Sequence, residues 1–234
     1  MAFGHGKNME VHVNGYDLTA YFESCESSHD ADVAETSVFG GNNKAFVAGQ
    51  KQATITLAGF YDGTAAAVDA VLQAAVGVDN SEFCVWPQGD TAGNYGQGFQ
   101  GIQTAYSITG TVDDACRVSA SVQSITGRER IVSLKALAQV TTSGSTTAID
   151  NGASSANGGS AYLQVTDVTG TVEVKIEHST DNNTWADLVE FTAVDTDHSS
   201  QRVTFSGTVN RYTRVTYTLG GGETLTFACG LHRT

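Results

Sequence analysis

Lys51-Gln-Ala-Thr-Ile-Thr-Leu-Ala-Gly-Phe-Tyr-Asp62 is the stretch whose reading decides the fold. On an extended chain Ala53, Ile55 and Leu57 share one side, and Gln52, Thr54 and Thr56 share the other. That alternation predicts a half-buried antiparallel strand. Phe60-Tyr-Asp-Gly63 interrupts it, and the period changes. Val68, Val71, Leu72, Ala75 and Val76 recur at three- and four-residue spacing, which predicts an amphipathic helix over about residues 64–76. Asp62 or Thr64 is placed to cap its start, and Gly77 stands where a helix ends. One helix among many strands predicts a β-sandwich with the helix laid against one sheet or edge.

Outward from this stretch the chain reads as strands and turns. Val11 and Val13 alternate with His12 and meet Asn14-Gly15, a hairpin signal, with Tyr16 to Phe22 as the second arm. Glu23 to Lys44 is polar and acidic and reads as a long loop, of the length that carries function. Ser81 to Trp86 is an apolar strand stopped by Pro87, and Gln88 to Gly98 a Gly-rich loop. Gln100 to Val112 and Cys116 to Ile125 form a hairpin turned at Asp113-Asp114. Gly127 to Arg130 reads as an exposed charged turn, and Ile131 to Val140 as the last strand of a first domain or a short exit segment. Residues 143–160 are rich in Ser, Thr, Gly and Asn and read as a linker or the start of a second domain. Beyond them, about residues 161–234 hold six or seven short strands, the density of a small immunoglobulin-like or jelly-roll sandwich.

Net charge is −13 over 234 residues, and both parts carry it: 7 basic and 15 acidic residues up to Val140, 5 and 10 after it. Such a chain is unsuited to gripping phosphate backbones, which takes Lys and Arg, but suited to lining a passage that a polyanion slips through. The opening Met1-Ala-Phe-Gly-His-Gly-Lys-Asn8 is too short and polar for a signal peptide, and no run has the length of a membrane span. Cys25, Cys84, Cys116 and Cys229 are scattered and read as reduced, mostly buried thiols.

No residue pattern points to catalysis. The six histidines form no metal spacing. His29, with Cys25, Asp30 and Asp32 around it, reads as solvated loop. Gly40-Gly41 and Gly220-Gly-Gly222 lack the Gly-Lys-Ser of a phosphate loop, and Asp113-Asp114 and Asp195-x-Asp197 sit at turn positions.

The order of the motifs carries a resemblance. Phe39-Gly-Gly-Asn-Asn-Lys44, then Phe46-Val47, then the strand ending Leu57-Ala-Gly-Phe-Tyr-Asp62, resembles the tail tube (major tail) proteins of long-tailed bacteriophages over roughly residues 8–140. There an aromatic-glycine loop leads into a strand of this type and then a helix. The resemblance implies a tail-tube-like β-sandwich over residues 1–142. It also implies subunits that self-assemble into stacked, hexameric rings, forming the hollow tail tube through which DNA passes; the lack of a recognisable sheath-binding feature favours a non-contractile tail. The implied partners are further copies of the chain and the tail initiator or baseplate, tape measure and tail terminator proteins. DNA is present only in transit, and no membrane, cofactor, metal or catalytic residue is implied. The implied location is the virion tail, after synthesis in the host cytoplasm without secretion. In that family the loop matching Glu23 to Lys44 reaches neighbouring subunits. Glu23, Glu26, Asp30, Asp32, Glu35, Phe39, Lys44 and Phe46 are therefore expected at subunit contacts, with Gln52, Thr54 and Thr56 of the strand and the hairpin Gln100 to Ile125.

Glu177-His-Ser-x-Asp181-x-x-x-Trp185 and Asn210-Arg-Tyr-x-Arg214 resemble accessory domains of phage tail and capsid proteins. That resemblance implies that residues 161–234 decorate the outside of a tube that forms without them. Two other readings stand beside it: a capsid decoration protein, and a carbohydrate-binding or adhesin module in which Trp185, Tyr212 and Tyr217 meet host surface glycans.

Overall fold

In a computed structural model that describes residues 5–39 and 42–234, the chain is mainly β. In chain order the strands begin with β1 (Glu10–Val13), β2 (Tyr16–Asp17), β3 (Phe22–Glu35) and β4 (Phe46–Phe60). Helix α1 (Val68–Ala75) is the one α-helix among the described residues. After it come β5 (Ser81–Trp86), β6 (Tyr95–Thr109), β7 (Arg117–Ser124), β8 (Glu129–Val140), β9 (Gly144–Ser145) and β10 (Ile149–Asp150). The chain ends with β11 (Gly159–Thr169), β12 (Glu173–Ser179), β13 (Ala186–Glu190), β14 (Ser199–Phe205), β15 (Tyr212–Thr218) and β16 (Thr224–Arg233). Among the described residues no helix is long and apolar enough to cross a membrane. Met1 to Gly4, and Gly40 with Gly41 of the quoted loop, lie outside the described residues.

The chain divides into two compact units, and the division is not the linear one expected at residues 143–160. One unit joins residues 1–20 and 82–98 to 129–234; the other holds 21–81 and 99–128. The reason is strand pairing across sequence. β8, expected to close a first domain, pairs along β16, with Phe227 opposite Ala138 and Leu231 opposite Val132. Of the two readings of residues 143–160, linker or start of the second sandwich, the pairing fits the latter. β9 and β10 both pair with β15, and Asp150 receives two hydrogen bonds of 2.6 Å from Arg211.

The larger unit contains an antiparallel sandwich. Strands run β14-β11-β16-β8 in one layer, and β10-β15-β12-β13 in the other with β9 also on β15. Leu163, Val165, Leu225, Phe227 and Leu231 of the first layer pack with Val172, Val174, Ile176, Val189 and Val215 of the second, all buried. Each such side chain contributes about 1.5–3 kcal/mol by leaving water. The first layer is covered on its other face too. Cys84, Trp86, Ile131 and Tyr162 form a second buried cluster, so β11 is buried at six successive positions, Ser160 to Val165. Tyr95 to Gly98, expected as loop, begin β6, and their glycines answer to these rings. A Cβ on Gly96 would stand 2.2 Å from Trp86 Cε3, and one on Gly98 2.8 Å from Tyr162 Cζ.

The Asn14-Gly15 turn has φ of +50° and +82°, the pair that a tight hairpin turn needs. It docks within the same unit: Gly15 N–H donates to Gln164 Oε1 at 2.7 Å, and Tyr16 stacks on His198 with ring centroids 4.0 Å apart. The second arm of this hairpin is only Tyr16–Asp17, and a 3-10 turn, Thr19–Tyr21, separates it from β3. Glu129, expected in an exposed charged turn, instead enters this unit's interior: Arg202, Tyr162 and Ser160 all donate to its carboxylate.

In the other unit the strand order is β3-β4-β7-β6. Ala53, Ile55 and Leu57 are buried as the alternation predicts, beside Val118, Ala120 and Val122 of β7. Val68, Leu72 and Ala75 of α1 are buried. Gln103 of β6 donates to the Leu72 carbonyl at 2.8 Å, and Tyr106 donates to Asp69 at 2.7 Å. The helix is shorter than expected. Its N-cap is Ala67 without a side-chain bond, while Asp62 instead receives the Thr64 N–H at 2.9 Å. Gly77, at φ +72°, follows its end.

Candidate assembly surface

Glu23 to Lys44 is not a loop for most of its length. Glu23 to Glu35 belongs to β3, fourteen residues long, paired with the fifteen of β4 into one extended hairpin. The near half of β4 is anchored, with residues 53, 55, 57 and 59 buried, whereas every residue from Phe46 to Gln52 is exposed. A register shift separates the two portions: Ala31 faces Lys51 but Val33 faces Ala48, so Gly49 and Gln50 together oppose Asp32. A bulge of this kind bends a ribbon and increases its twist.

Beyond the bulge the hairpin carries apolar side chains with no cover. Val33 is 66% exposed, Phe46 56% and Val47 57%, and Val38 and Phe39 at the tip are more exposed still. Lys44 and Glu35 pair across it at 2.9 Å. The hydrogen bonds from Lys44 and Ser37 hold the Glu35 carboxyl below its usual range. Among the described residues β3 has a strand partner only in β4, so its outer edge meets no further strand.

The expected contact residues therefore separate into groups. Glu26, Asp30, Gln52, Thr54 and Thr56 come together: Glu26 faces Thr56, Ser28 faces Thr54 and Asp30 faces Gln52. Their face of the sheet is the one opposite Ala53, Ile55 and Leu57, and Ser119, Ser121 and Gln123 of β7 continue it. Glu35, Lys44 and Phe46 lie on the far portion, Phe39 at the tip and Asp32 at the bulge. Glu23 stands at the base in an ion pair with Arg117. Val33, Val38 and Val47 escaped the sequence reading. The signal available was only scattered strand formers, Val33, Val38 and Phe46-Val47, without the alternation that a buried face imposes. Cys25, opposite Leu57, points to the core side, where burial pushes its thiol up to about 11. His29 shares that side while Asp30 points away, so the two do not converge.

The aromatic residues considered for glycan contact do not share one face: Tyr212 and Tyr217 lie on opposite sides of β15. Trp185 lies under the Arg214 guanidinium at 4.0 Å, and Tyr212 under that of Arg211 at 5.0 Å. Tyr217 points inward, edge-on to Phe227 at 5.6 Å. Arg214 is itself held by Glu177 at 2.8 Å, so one face of the Trp185 ring is already stacked. A groove of about 410 Å³ runs past Tyr95, Arg130, Ile149 and Asp150. Arg130 lies 3.5 Å over the Tyr95 ring, Asp150 is paired with Arg211, and Arg233, also on the groove, donates to the Ala153 carbonyl at 2.6 Å.

No protein-family model matches the chain, and no curated protein matches it. Among solved structures it is similar to a chain in the virion of a native gene transfer agent, at 14% identity and TM-score 0.44, over 55% of this chain and 98% of that one. It is similar to the SPP1 tail tube protein at 14% identity and TM-score 0.46, over 55% of this chain and 78% of that one. It is also similar to the SPP1 Dit protein at 9% identity and TM-score 0.40, over 97% of this chain and 99% of that one. None of these likenesses assigns a role to a residue of this chain.

Proposed function

We propose that this protein is a structural, self-associating subunit of a phage-type tail, and that it forms the tube. The observation that carries the reading is the β3–β4 hairpin, with its fourteen-residue edge that meets no further strand and its uncovered valines and Phe46. A long exposed edge strand templates pairing with another chain, and closing sheets into a ring removes such edges. The resemblance of Phe39 to Asp62 to tail tube proteins supplies the kind of assembly: stacked rings, hexameric in that family, in a virion tail. In such a ring the hairpin reaches the next subunit. The face bearing Glu26, Asp30, Gln52, Thr54 and Thr56 lines the lumen, offering DNA hydroxyls, amides and negative charge but no cationic grip. Tail initiator, tape measure and terminator proteins are the further partners of this reading.

Negative-stain microscopy and light scattering across concentration test it, on the wild type and on Val47→Asp. Rings or tubes from the wild type, and monomers from a variant that melts at the same temperature, are the expected result. A wild type that stays monomeric at every concentration, or a variant that assembles equally well, overturns the proposal.

A further inference from the structure

Three side chains that the assembly surface does not use meet inside the larger unit. Glu10 and His12 stand two residues apart on β1 and so project on the same side. Asp90 comes from the turn after β5. A carboxylate oxygen of Glu10, a ring nitrogen of His12 and a carboxylate oxygen of Asp90 all lie within 4.8 Å of one another. The site is sheltered: His12 is 2% exposed and Asp90 6%, with Glu10 half-buried. The backbone holds one oxygen of each acid, because Asp90 N–H donates to Glu10 Oε2 at 3.0 Å and Leu137 N–H donates to Asp90 Oδ2 at 2.5 Å. The two carboxyl side chains also bond to one another, a contact that a bound ion would replace. Ser133 steadies the turn by donating to the Asp90 carbonyl at 2.5 Å.

His12 is the independent observation. Its Nδ1 is buried and has no hydrogen-bond partner, although buried polar atoms are nearly always satisfied and an orphan calls for an explanation. The other charged groups nearby do not supply one. Asp17, opposite His12 on β2, accepts from the Thr19 N–H at 3.0 Å, and Lys135 directs its ammonium to the carbonyls of Ala136, Ala138 and Phe227.

We propose that Glu10, His12 and Asp90 form a divalent-cation site, with zinc as the ion that suits the donors. One imidazole and two carboxylates are a zinc donor set, and three protein ligands leave a fourth position for water. Zinc bonds of ~2.0–2.2 Å put tetrahedral ligand atoms ~3.4 Å apart, within the range that side-chain rotation of three donors lying inside 4.8 Å of one another can reach. Two carboxylates and a neutral ring balance the charge of the ion. The site ties the N-terminal strand to the turn after β5 and, through Leu137 and Ser133, to β8.

The test is calorimetric titration of zinc chloride into the metal-stripped full chain, with melting measured in chelator and in zinc. One equivalent is expected to bind and to raise the melting temperature. Glu10→Gln, His12→Gln and Asp90→Asn are each expected to weaken binding by about tenfold or more, while His29→Ala on the exposed hairpin leaves it unchanged. Glu10→Gln keeps the shape of the side chain and an acceptor for Asp90 N–H, so it decides the matter if a His12 variant fails to fold. A wild type that binds no zinc, in which the two acids simply share a proton, overturns the proposal. So does zinc binding with equal affinity in a folded Glu10→Gln.

Discussion

At the scale of single residues, Glu129 shows how an ionised group becomes part of a core. Arg202 donates to it at 2.6 Å and Tyr162 at 2.5 Å, with Ser160 as a third donor, and the pair's side chains are only 10% and 16% exposed. Burial pushes the Glu129 carboxyl up, but the hydrogen bonds from Arg202, Ser160 and Tyr162, together with the Arg202 charge, outweigh it and hold the carboxyl below 4.5. A carboxylate depressed in the folded state stabilises the fold above its unfolded value and loses that contribution as pH falls through the folded one. Glu129→Gln is expected to cost about 2–3 kcal/mol at neutral pH, below the ~3–5 kcal/mol of a fully buried pair because some solvent contact remains. The gap between wild type and variant should close as pH drops below about 4.5. Thermal unfolding of both proteins from neutral to acid pH checks this, and parallel curves would refute it.

At the scale of elements, β4 is one strand with two energetic halves. Ile55 is 1% exposed under the helix side of its sheet, whereas Val47, eight residues earlier, is 57% exposed on the free hairpin. Truncating Ile55→Ala should remove about 3 kcal/mol of stability. Val47→Ser should change it by less than about 1 kcal/mol while weakening self-association. Urea unfolding in dilute solution, set beside scattering at high concentration, separates the two effects. Equal destabilisation by both variants would mean that the hairpin packs on its own chain in solution.

At the scale of the whole molecule, the chain closes on itself across sequence. The 1–20 segment, β5 and β8 belong with residues 159–234 because β8 finds its partner in β16 and the Asn14-Gly15 turn finds Gln164 and His198. A chain ending at Thr142 would keep β8 but lose β11 and β16, leaving Leu134 and Tyr162's partners Trp86 and Ile131 uncovered. Such a truncation is expected to lose cooperative melting and to aggregate, rather than to form tubes lacking a decoration. Circular dichroism and size-exclusion chromatography of that fragment decide it; a cooperatively folded monomer or an intact tube would restore the linear division.

The sequence by itself determined the strands whose faces differ in polarity. Ala53-Ile55-Leu57, Val118-Ala120-Val122 and Val172-Val174-Ile176 alternate because one side meets a core and the other water, and α1 repeats at helical spacing for the same reason. Ser81–Trp86 and its stop at Pro87 were legible too, as an apolar run with a residue that lacks a donor. Glu23 to Glu35 was not legible as a strand, because only its base meets the core, at Cys25, and nothing imposes a period on the rest. Tertiary structure alone decided the pairing of β8 with β16, the use of residues 144–150 as strand partners, and the meeting of Glu10, His12 and Asp90. Each joins residues that are distant in sequence, and local composition records which side of a residue is buried but not which partner buries it.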